Sequence, residues 1–302
     1  MSVAQYAADN AKRGPETAPI SPYLRWLTNW GPALPLIIIG IVMLVVPCAL
    51  MIRQSFALPD GSGFTLANWV SLFESRSART TILNSLLLSF SVATIALLVG
   101  GPLTWIISRM TRNWQALNLG LLTVANNFSG IGLAFGYVAA LGSYGMITLA
   151  LKMIGIDIIP PASSSFWGLT IAYEYGIVPM FVLLTLPSMA LIRNEWWEAC
   201  QCCGANRWQF WRYVGIPVLG PFLGASWILC FTWSMGLYGL PVALLGSSRP
   251  AFNLITLKMS RSMTGLLLGN QQMPVLAVLL MIIAICALTL YKIMLKRAGK
   301  WL

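Results

Sequence analysis

The chain has 302 residues, of which 58% are hydrophobic and only 9% are charged. A soluble domain carries about 25% charged residues, so this chain has too few charges to cover a water-soluble surface. Its net charge of +11 does not indicate nucleic-acid binding, because no basic stripe or aromatic-basic motif accompanies it.

Six apolar runs follow one another along the chain. Each is long enough for a helix that crosses a hydrocarbon core of about 30 Å. The alternating segments of about 10 residues that are typical of membrane barrels are absent. The sequence therefore predicts an all-α, polytopic membrane protein with six transmembrane helices, at 33–52, 82–107, 117–141, 166–192, 218–245 and 274–294.

The predicted domain organisation follows from these runs. A polar N-terminal tail at 1–31 precedes a first transmembrane helix at 32–55. A membrane core is predicted at 80–295, followed by a short C-terminal tail at 296–302. Because the first run is full length and lies behind a polar tail, it is predicted to remain as a membrane helix and not to be cleaved as a signal peptide.

The distribution of lysine and arginine predicts the orientation of the chain. Without the six runs, seven polar segments remain and alternate between two sides of the membrane. Seven of the 19 basic residues fall on one side, and the other twelve fall on the side that carries both termini. Since cytoplasmic loops carry the excess of basic residues, both termini are predicted to be cytoplasmic. The seven on the other side are Arg53, Arg76, Arg79, Lys152, Arg249, Lys258 and Arg261.

The third and fourth runs contain polar residues that are candidates for a solute pathway. Asn126 and Asn127 precede a glycine-rich stretch in the third run. Small residues there suit either close helix packing, which is favoured, or irregular backbone that lines a cavity. Glu174, between Tyr173 and Tyr175, lies inside the fourth run, where an ionisable group faces protein or water and not lipid. Its carboxyl is predicted either to attract a cationic solute or to have a structural role in helix packing.

The loop at 193–217 has an unusual composition. Its first part favours a helix with Glu195 near the N-terminus, where the helix dipole favours anions. Gly204 suits a helix end or a sharp turn, and a second amphipathic segment follows up to Pro217, which is tolerated in the first turn of the next helix. This bent pair of short helices fits contact with a cytoplasmic partner, and it equally fits a helix that lies in the lipid interface.

Two tryptophans and the cysteines bear on other functions. Trp227 and Trp233 lie inside the fifth run and are predicted to pack between helices in preference to stacking on a substrate. Cys200, Cys202 and Cys203 match no zinc-binding spacing. The chain has no histidine and no phosphate-binding loop motif. The sequence therefore predicts no enzyme activity, no metal site and no bound cofactor.

The 193–217 loop resembles the EAA loop of binding-protein-dependent ABC importer permeases, whose pattern is E-A-A-x3-G-x9-I-x-L-P. The spacing is kept over 20 positions, with one real departure, a cysteine in place of the second alanine. Ala205 follows the glycine of the motif. The matching residues are Glu198, Ala199, Cys200, Gly204, Val214, Ile216 and Pro217.

The resemblance extends over about 80–294. Asn84 and Ser85, with the G-P-L run at 101–103 and Arg109, resemble the family's N-S/T…G-x-P-L-A…R stretch. The segments at 142–146 and 235–245 resemble two further family motifs, although the latter has Gly236 and Leu237 where many members carry an acidic residue. The resemblance implies the type I importer transmembrane fold.

The resemblance also implies partners and a site. The helix around Glu198–Gly204 would be a coupling helix seated in a separate ATPase, which would bind ATP and Mg²⁺. A periplasmic solute-binding protein would deliver the solute. A second permease subunit, expected to be a different chain, would complete the pathway in a bacterial inner membrane.

Within this family the organisation is most similar to the spermidine/putrescine permease group. The resemblance therefore implies a polyamine or a similar small amine-bearing solute, with Glu174 as the one physical indication. The alternatives are the same importer class for 2-aminoethylphosphonate, ferric iron, thiamine or sulfate. A secondary transporter or channel without an ATPase is a further alternative, but the inverted repeats and paired intramembrane charges of that class are not evident.

Overall fold

The computed structural model describes residues 33–58, 63–128, 130–142, 144–155, 165–245, 252–264 and 272–299. The predicted N-terminal tail at 1–31 lies outside these residues, as do positions 300–302 of the predicted C-terminal tail. Chain contacts divide the protein into two units, Met1–Arg53 and Gln54–Leu302.

The described residues form thirteen α-helices and one π-helical turn. The single β contact within these ranges is a bridge between Ala57 and Phe64. The predicted all-α class is therefore confirmed. The helices are α1 Leu34–Ser55, α2 Ala67–Glu74, α3 Arg76–Ser108, α4 Arg112–Asn127, α5 Ile131–Leu141, α6 Met146–Met153, α7 Phe166–Met189, α8 Asn194–Cys202, α9 Arg207–Phe210, α10 Ile216–Gly236, α11 Gly239–Leu245, α12 Ile255–Thr264 and α13 Gln272–Ala298, and the π-helical turn is Trp211–Gly215.

Six segments of the described chain are long and apolar enough to cross a membrane, as the sequence predicts. Four of them correspond closely to predicted spans, and the third and fifth have different bounds. The six are Leu34–Ser55, Arg76–Ser108, Ile131–Met153, Phe166–Met189, Arg207–Gly236 and Gln272–Arg297.

The third predicted span, 117–141, is not one continuous helix. The chain breaks between α4 and α5, where Phe128 leaves the helical region and Gly130 has φ of +74°. Only glycine adopts this region of φ at little cost. Asn126 and Asn127 stand just before the break, but strongly apolar residues resume at Ile131, and the prediction treated both sides as one run. The segment that qualifies as a span therefore begins at Ile131 and runs on through α6.

The fifth predicted span, 218–245, also differs from the structure. α10 ends at Gly236, Leu237 is extended, and a separate helix α11 begins at Gly239. At its other end α10 continues the turns that start at Arg207. The membrane segment is therefore shifted toward the N-terminus and is directly continuous with the 193–217 loop.

The core of the second unit is built on α3, α7 and α10. α3 packs along α7 and α10, and α10 packs along α13. Between α3 and α7, the hydroxyls of Thr104 and Thr185 lie 3.0 Å apart in a hydrogen bond, and both side chains are fully buried. The ring of Phe181 fills the space over Gly100, where a Cβ would lie 2.7 Å from it. α3 is thus fixed against α7, and its last turn extends to the 193–217 loop.

Candidate functional site

Gly204 ends helix α8 in a regular capping motif. Its φ is +74°, its N–H donates to the carbonyl of Gln201 at 2.9 Å, and the N–H of Ala205 donates to the carbonyl of Cys200 at 3.0 Å. These two bonds form a Schellman motif, which requires a left-handed residue at this position. A helix end at Gly204 is what the sequence predicts, and the chain turns sharply there.

A second helix restarts two residues later. The side chain of Asn206 accepts the N–H of Gln209 at 2.8 Å, and the side chain of Gln209 accepts the N–H of Asn206 at 2.8 Å. This capping box begins α9. The chain then widens into the π-helical turn before α10. Pro217 has no N–H to donate to the carbonyl of Tyr213, which accounts for the widening at this junction.

Aromatic side chains hold the two short helices against the membrane core. The rings of Trp105 and Trp211 meet edge to face with centroids 4.7 Å apart, and Trp197 meets Phe210 in the same way at 5.4 Å. Phe210 is buried beside Met189 and Ile192. The last turn of α3 and the end of α7 therefore support the loop from the membrane side.

Arg109 adds a polar link at the start of α8. Its guanidinium lies 4.2 Å from the ring centroid of Trp105 and donates a hydrogen bond to the side-chain oxygen of Asn194. The family motif placed Arg109 at the end of the second span, but sequence reasoning missed the contributions of Trp105, Asn194 and Trp211. The signal in the sequence that could have indicated this contact is the presence of Trp105 near the end of one span and Trp211 near the start of another.

The predicted coupling residues divide between two faces of the loop. Cys200 and Val214 pack against the buried cluster formed by Met189, Ile192, Phe210 and Leu219. The side chains that remain exposed belong to both short helices and to the start of α10, and among them Trp208 is 69% exposed. The loop therefore presents one outward face on a fixed base. The exposed members of the predicted set are Glu198, Ala199, Gly204, Ile216 and Pro217, and Ala205 is half-buried.

A separate cavity of about 260 Å³ lies among α4, α5, α7, α10 and α11. Two of the pathway candidates, Asn126 and Tyr173, line it. Trp233 lines it too, is 58% exposed, and also borders a neighbouring cavity of about 420 Å³. The prediction of interhelical packing is wrong for Trp233. It is confirmed for Trp227, whose indole stacks on Phe231 and donates to Thr94 at 3.3 Å.

The other pathway candidates do not line this cavity. Asn127 is exposed and donates to the carbonyl of Thr123 in its own helix at 2.8 Å, and Tyr175 is 51% exposed. Both carboxyl oxygens of Glu174 are buried without a hydrogen-bond partner among the described residues.

The Asn-Ser pair of the family motif has a structural role at the start of α12. The hydroxyl of Ser85 accepts the N–H of Ile255 at 2.9 Å, and the amide of Asn84 donates to the carbonyl of Asn253 at 3.4 Å. Both bonds satisfy backbone groups at the beginning of that helix. They tie α3 to a segment that lies 170 residues away in sequence.

Comparisons with known proteins agree with this architecture. The chain is 26% identical over 215 residues to the spermidine/putrescine transport system permease protein PotB of Haemophilus influenzae, which covers 69% of this chain and 74% of that protein. It is 32% identical over 80 residues to the sulfate transport system permease protein CysT of Escherichia coli, covering 26% of this chain and 29% of that protein. No family model matches.

Among solved structures, the chain superposes on the crystal structure of a bacterial ABC transporter involved in the import of the acidic polysaccharide alginate. The TM-score is 0.65 at 16% identity, over 91% of this chain and 96% of that chain. The chain is therefore similar in sequence to permease proteins of ABC importers, and it has the fold of a chain of the alginate ABC transporter. The six-helix type I permease architecture is thereby confirmed, and the chain is a multi-pass protein of the inner membrane.

Proposed function

We propose that this permease has no ATPase site of its own and is driven through its 193–217 loop by a separate ATPase. In this proposal ATP and Mg²⁺ bind to the ATPase, and both termini of the permease are cytoplasmic. The observation that carries the proposal is the loop itself. The exposed residues of its motif form an outward face. Its inner face is fixed to the ends of α3 and α7 by Trp105, Trp211 and Phe210.

The geometry explains how the loop would transmit movement. A short helix that lay in the headgroup layer without contacts to the membrane helices could move without displacing them. Here the π-helical turn leads directly into α10, and the aromatic contacts tie the same turn to α3. A displacement of α8 and α9 by the ATPase would therefore shift two membrane helices together, as alternating access requires.

The partners that we propose are those of an ATP-driven importer that uses a binding protein. We expect two ATPase subunits, a periplasmic solute-binding protein and a second permease of different sequence. A related solved structure is that of a bacterial alginate ABC transporter in complex with an alginate pentasaccharide-bound periplasmic protein, with a TM-score of 0.64 at 18% identity. That complex supports a periplasmic binding protein as the kind of partner proposed for this chain.

The solute proposed is a polyamine or a similar small amine-bearing compound. Three observations support it. The Haemophilus influenzae relative named for spermidine and putrescine matches over 215 residues, against 80 for the sulfate permease. Glu174 is the one acidic residue in the six candidate spans. The indole of Trp233, exposed in the cavity, is the best side chain for binding a cation over its face.

The test is reconstitution of the full importer in proteoliposomes. The permease, its partner permease and the ATPase are assembled, and ATP hydrolysis is measured with the binding protein present, with and without spermidine. The proposal predicts that spermidine-loaded binding protein stimulates hydrolysis and drives spermidine uptake. Uptake by the permease without the ATPase would contradict it, because that is the behaviour of a secondary transporter or channel.

A further inference from the structure

A cavity of about 310 Å³ lies between the end of α3 and the 193–217 loop, and the function proposed above does not use it. Small-ligand cavities begin at about 300 Å³, so this one suits a small group and not a long chain. Its walls combine aromatic rings with two guanidinium groups and one amide. They include Trp105, Trp197, Trp211, Arg109, Arg207 and Asn194.

The charge of this cavity is positive. Arg109 and Arg207 both line it, and no Asp or Glu is among the described residues in its walls. The two acidic residues of α8, Glu195 and Glu198, are exposed and do not line it. The guanidinium of Arg109 makes one hydrogen bond among the described residues, to Asn194, whereas a guanidinium has five N–H donors. The guanidinium of Arg207 has no hydrogen-bond or ion-pair partner among the described residues.

The position of the cavity points to the lipid headgroup layer. It is bounded by the last turn of the span Arg76–Ser108 and the first turns of the span Arg207–Gly236. Tryptophans at such span ends lie at headgroup depth, and basic pockets between membrane helices bind anionic headgroups. The same two spans expose Ile106 and Ile216, at 53% and 57%, which gives acyl chains an apolar surface beside the cavity.

We propose that this cavity binds a phosphate-bearing anion, supplied by the headgroup of an anionic phospholipid such as phosphatidylglycerol. Arg109 and Arg207 would donate to the phosphate oxygens, and the amide of Asn194 would contribute a further donor. A lipid bound there would contact α3 and the start of α9 together. This inference requires only the membrane-spanning fold and does not depend on coupling to an ATPase.

The test measures lipid retention by the full-length protein. It is purified from nanodiscs that contain equal amounts of phosphatidylglycerol and phosphatidylcholine, and the lipids that stay bound are counted by native mass spectrometry. Arg109→Gln and Arg207→Gln are compared with the wild type and with Arg212→Gln. The last is a matched control, because Arg212 is an exposed arginine of the same loop that does not line the cavity.

We expect the wild type and Arg212→Gln to retain phosphatidylglycerol in preference to phosphatidylcholine. Because a hydrogen bond to a charged group contributes about 1.5–3 kcal/mol, each cavity variant should lose this preference by about tenfold or more. Equal retention in all four proteins would overturn the proposal, as would an equal loss in Arg212→Gln. The helical circular dichroism of each variant is compared with that of the wild type. An unchanged spectrum shows that a loss of bound lipid does not result from misfolding.

A second arm separates the two sources of phosphate. Inorganic phosphate is added to the same proteins in pure phosphatidylcholine, and the thermal unfolding midpoint is measured. No shift is expected if the site needs a membrane-bound headgroup. A shift that requires Arg207, without preferential retention of phosphatidylglycerol, would support the anion site and overturn its assignment to lipid.

Discussion

Trp105, in the last turn of the second span, meets Trp211, in the π-helical turn of the 193–217 loop, edge to face at 4.7 Å between ring centroids. The two residues belong to α3 and to the segment that leads into α10, so this contact joins two membrane helices at the base of the loop. Arg109 lies over the first of these rings. The loop is therefore packed onto the membrane core at the junction of α3 and α10. A displacement of the loop would be transmitted to the membrane helices at this junction.

The first prediction concerns this pair of tryptophans. Trp105→Leu and Trp211→Leu should each lower the amount of solute imported per ATP hydrolysed, and the double variant should be little worse than either single one. The reason is that an edge-to-face pair contributes about 0.5–1.5 kcal/mol beyond its buried area, and either substitution removes all of it. Transport and hydrolysis in proteoliposomes provide the measurement.

The control is Trp114→Leu, at a tryptophan that is 62% exposed on α4. It should leave the ratio unchanged. Fully additive losses at Trp105 and Trp211 would mean that the two rings act independently and would contradict the prediction.

The second prediction concerns Gly204. Gly204→Val should insert into the membrane normally but lose solute-stimulated ATP hydrolysis, because a left-handed conformation costs an ordinary residue about 1–2 kcal/mol. No atom lies within 4 Å of the position that a Cβ would occupy, so the cost arises from φ and not from a clash within the chain. Gly204→Asn, which tolerates this conformation better, should retain most of the activity. Wild-type coupling in the valine variant would contradict the assignment.

The turn at Gly204 could be predicted from the sequence, whereas a break at Gly130 was only the less favoured of two interpretations. In the loop, glycine follows a short polar helix and precedes a capping residue, so the local pattern specifies a helix end. In the third span, Asn126 and Asn127 precede Gly130, and the sequence left two interpretations open, close helix packing and irregular backbone that lines a cavity. Composition does not distinguish a glycine that allows close packing from a glycine at positive φ. Packing was favoured, and the predicted helix therefore ran through the break.

The third prediction concerns the cavity of about 260 Å³ that Trp233 lines. Trp233→Ala should raise the KM for an amine-bearing solute by about two- to fivefold, since a cation over an exposed aromatic ring is stabilised by about 0.5–1 kcal/mol. ATP hydrolysis without solute should not change. Trp233→Phe should restore part of the affinity. A KM that is identical in the alanine variant and the wild type would remove Trp233 from the pathway.

The orientation of Trp233 is another feature that the sequence did not reveal. α10 is apolar on every face, so its composition does not specify which residues face protein, lipid or a cavity. Only packing against α3, α7 and α13 decides this. Trp227 and Trp233 are six positions apart, which places them on different faces of the helix, so the surroundings of one do not predict those of the other.

The fourth prediction separates the two interpretations of Glu174. If its carboxylate attracts a cationic solute, Glu174→Gln should raise the KM for spermidine by about tenfold or more, because charged hydrogen bonds contribute about 1.5–3 kcal/mol. Glu74→Gln, the same change at an exposed residue at the end of α2, should have no effect. An unchanged KM together with a lower unfolding midpoint would favour the structural interpretation, in which the carboxyl contributes to helix packing.

The fifth prediction concerns stability. Thr104→Val removes the buried hydrogen bond to Thr185, and hydrogen bonds between membrane helices contribute about 0.6 kcal/mol on average and up to about 1.7. Unfolding by denaturing detergent should show a loss within this range. Thr123→Val, at an exposed residue that bonds only to its own helix, should be close to neutral. A larger loss at Thr123 than at Thr104 would contradict the packing described for α3 and α7.

The proposed docking of the 193–217 loop in a cytoplasmic ATPase can be tested with thiols that the loop already carries. Cys202 and Cys203 are exposed at the end of α8. A membrane-impermeant maleimide should label them in inverted membrane vesicles that lack the ATPase, and co-expression of the ATPase should protect them. Labelling that is equal with and without the ATPase, or that occurs from the periplasmic side of right-side-out vesicles, would contradict docking of the loop in a cytoplasmic ATPase.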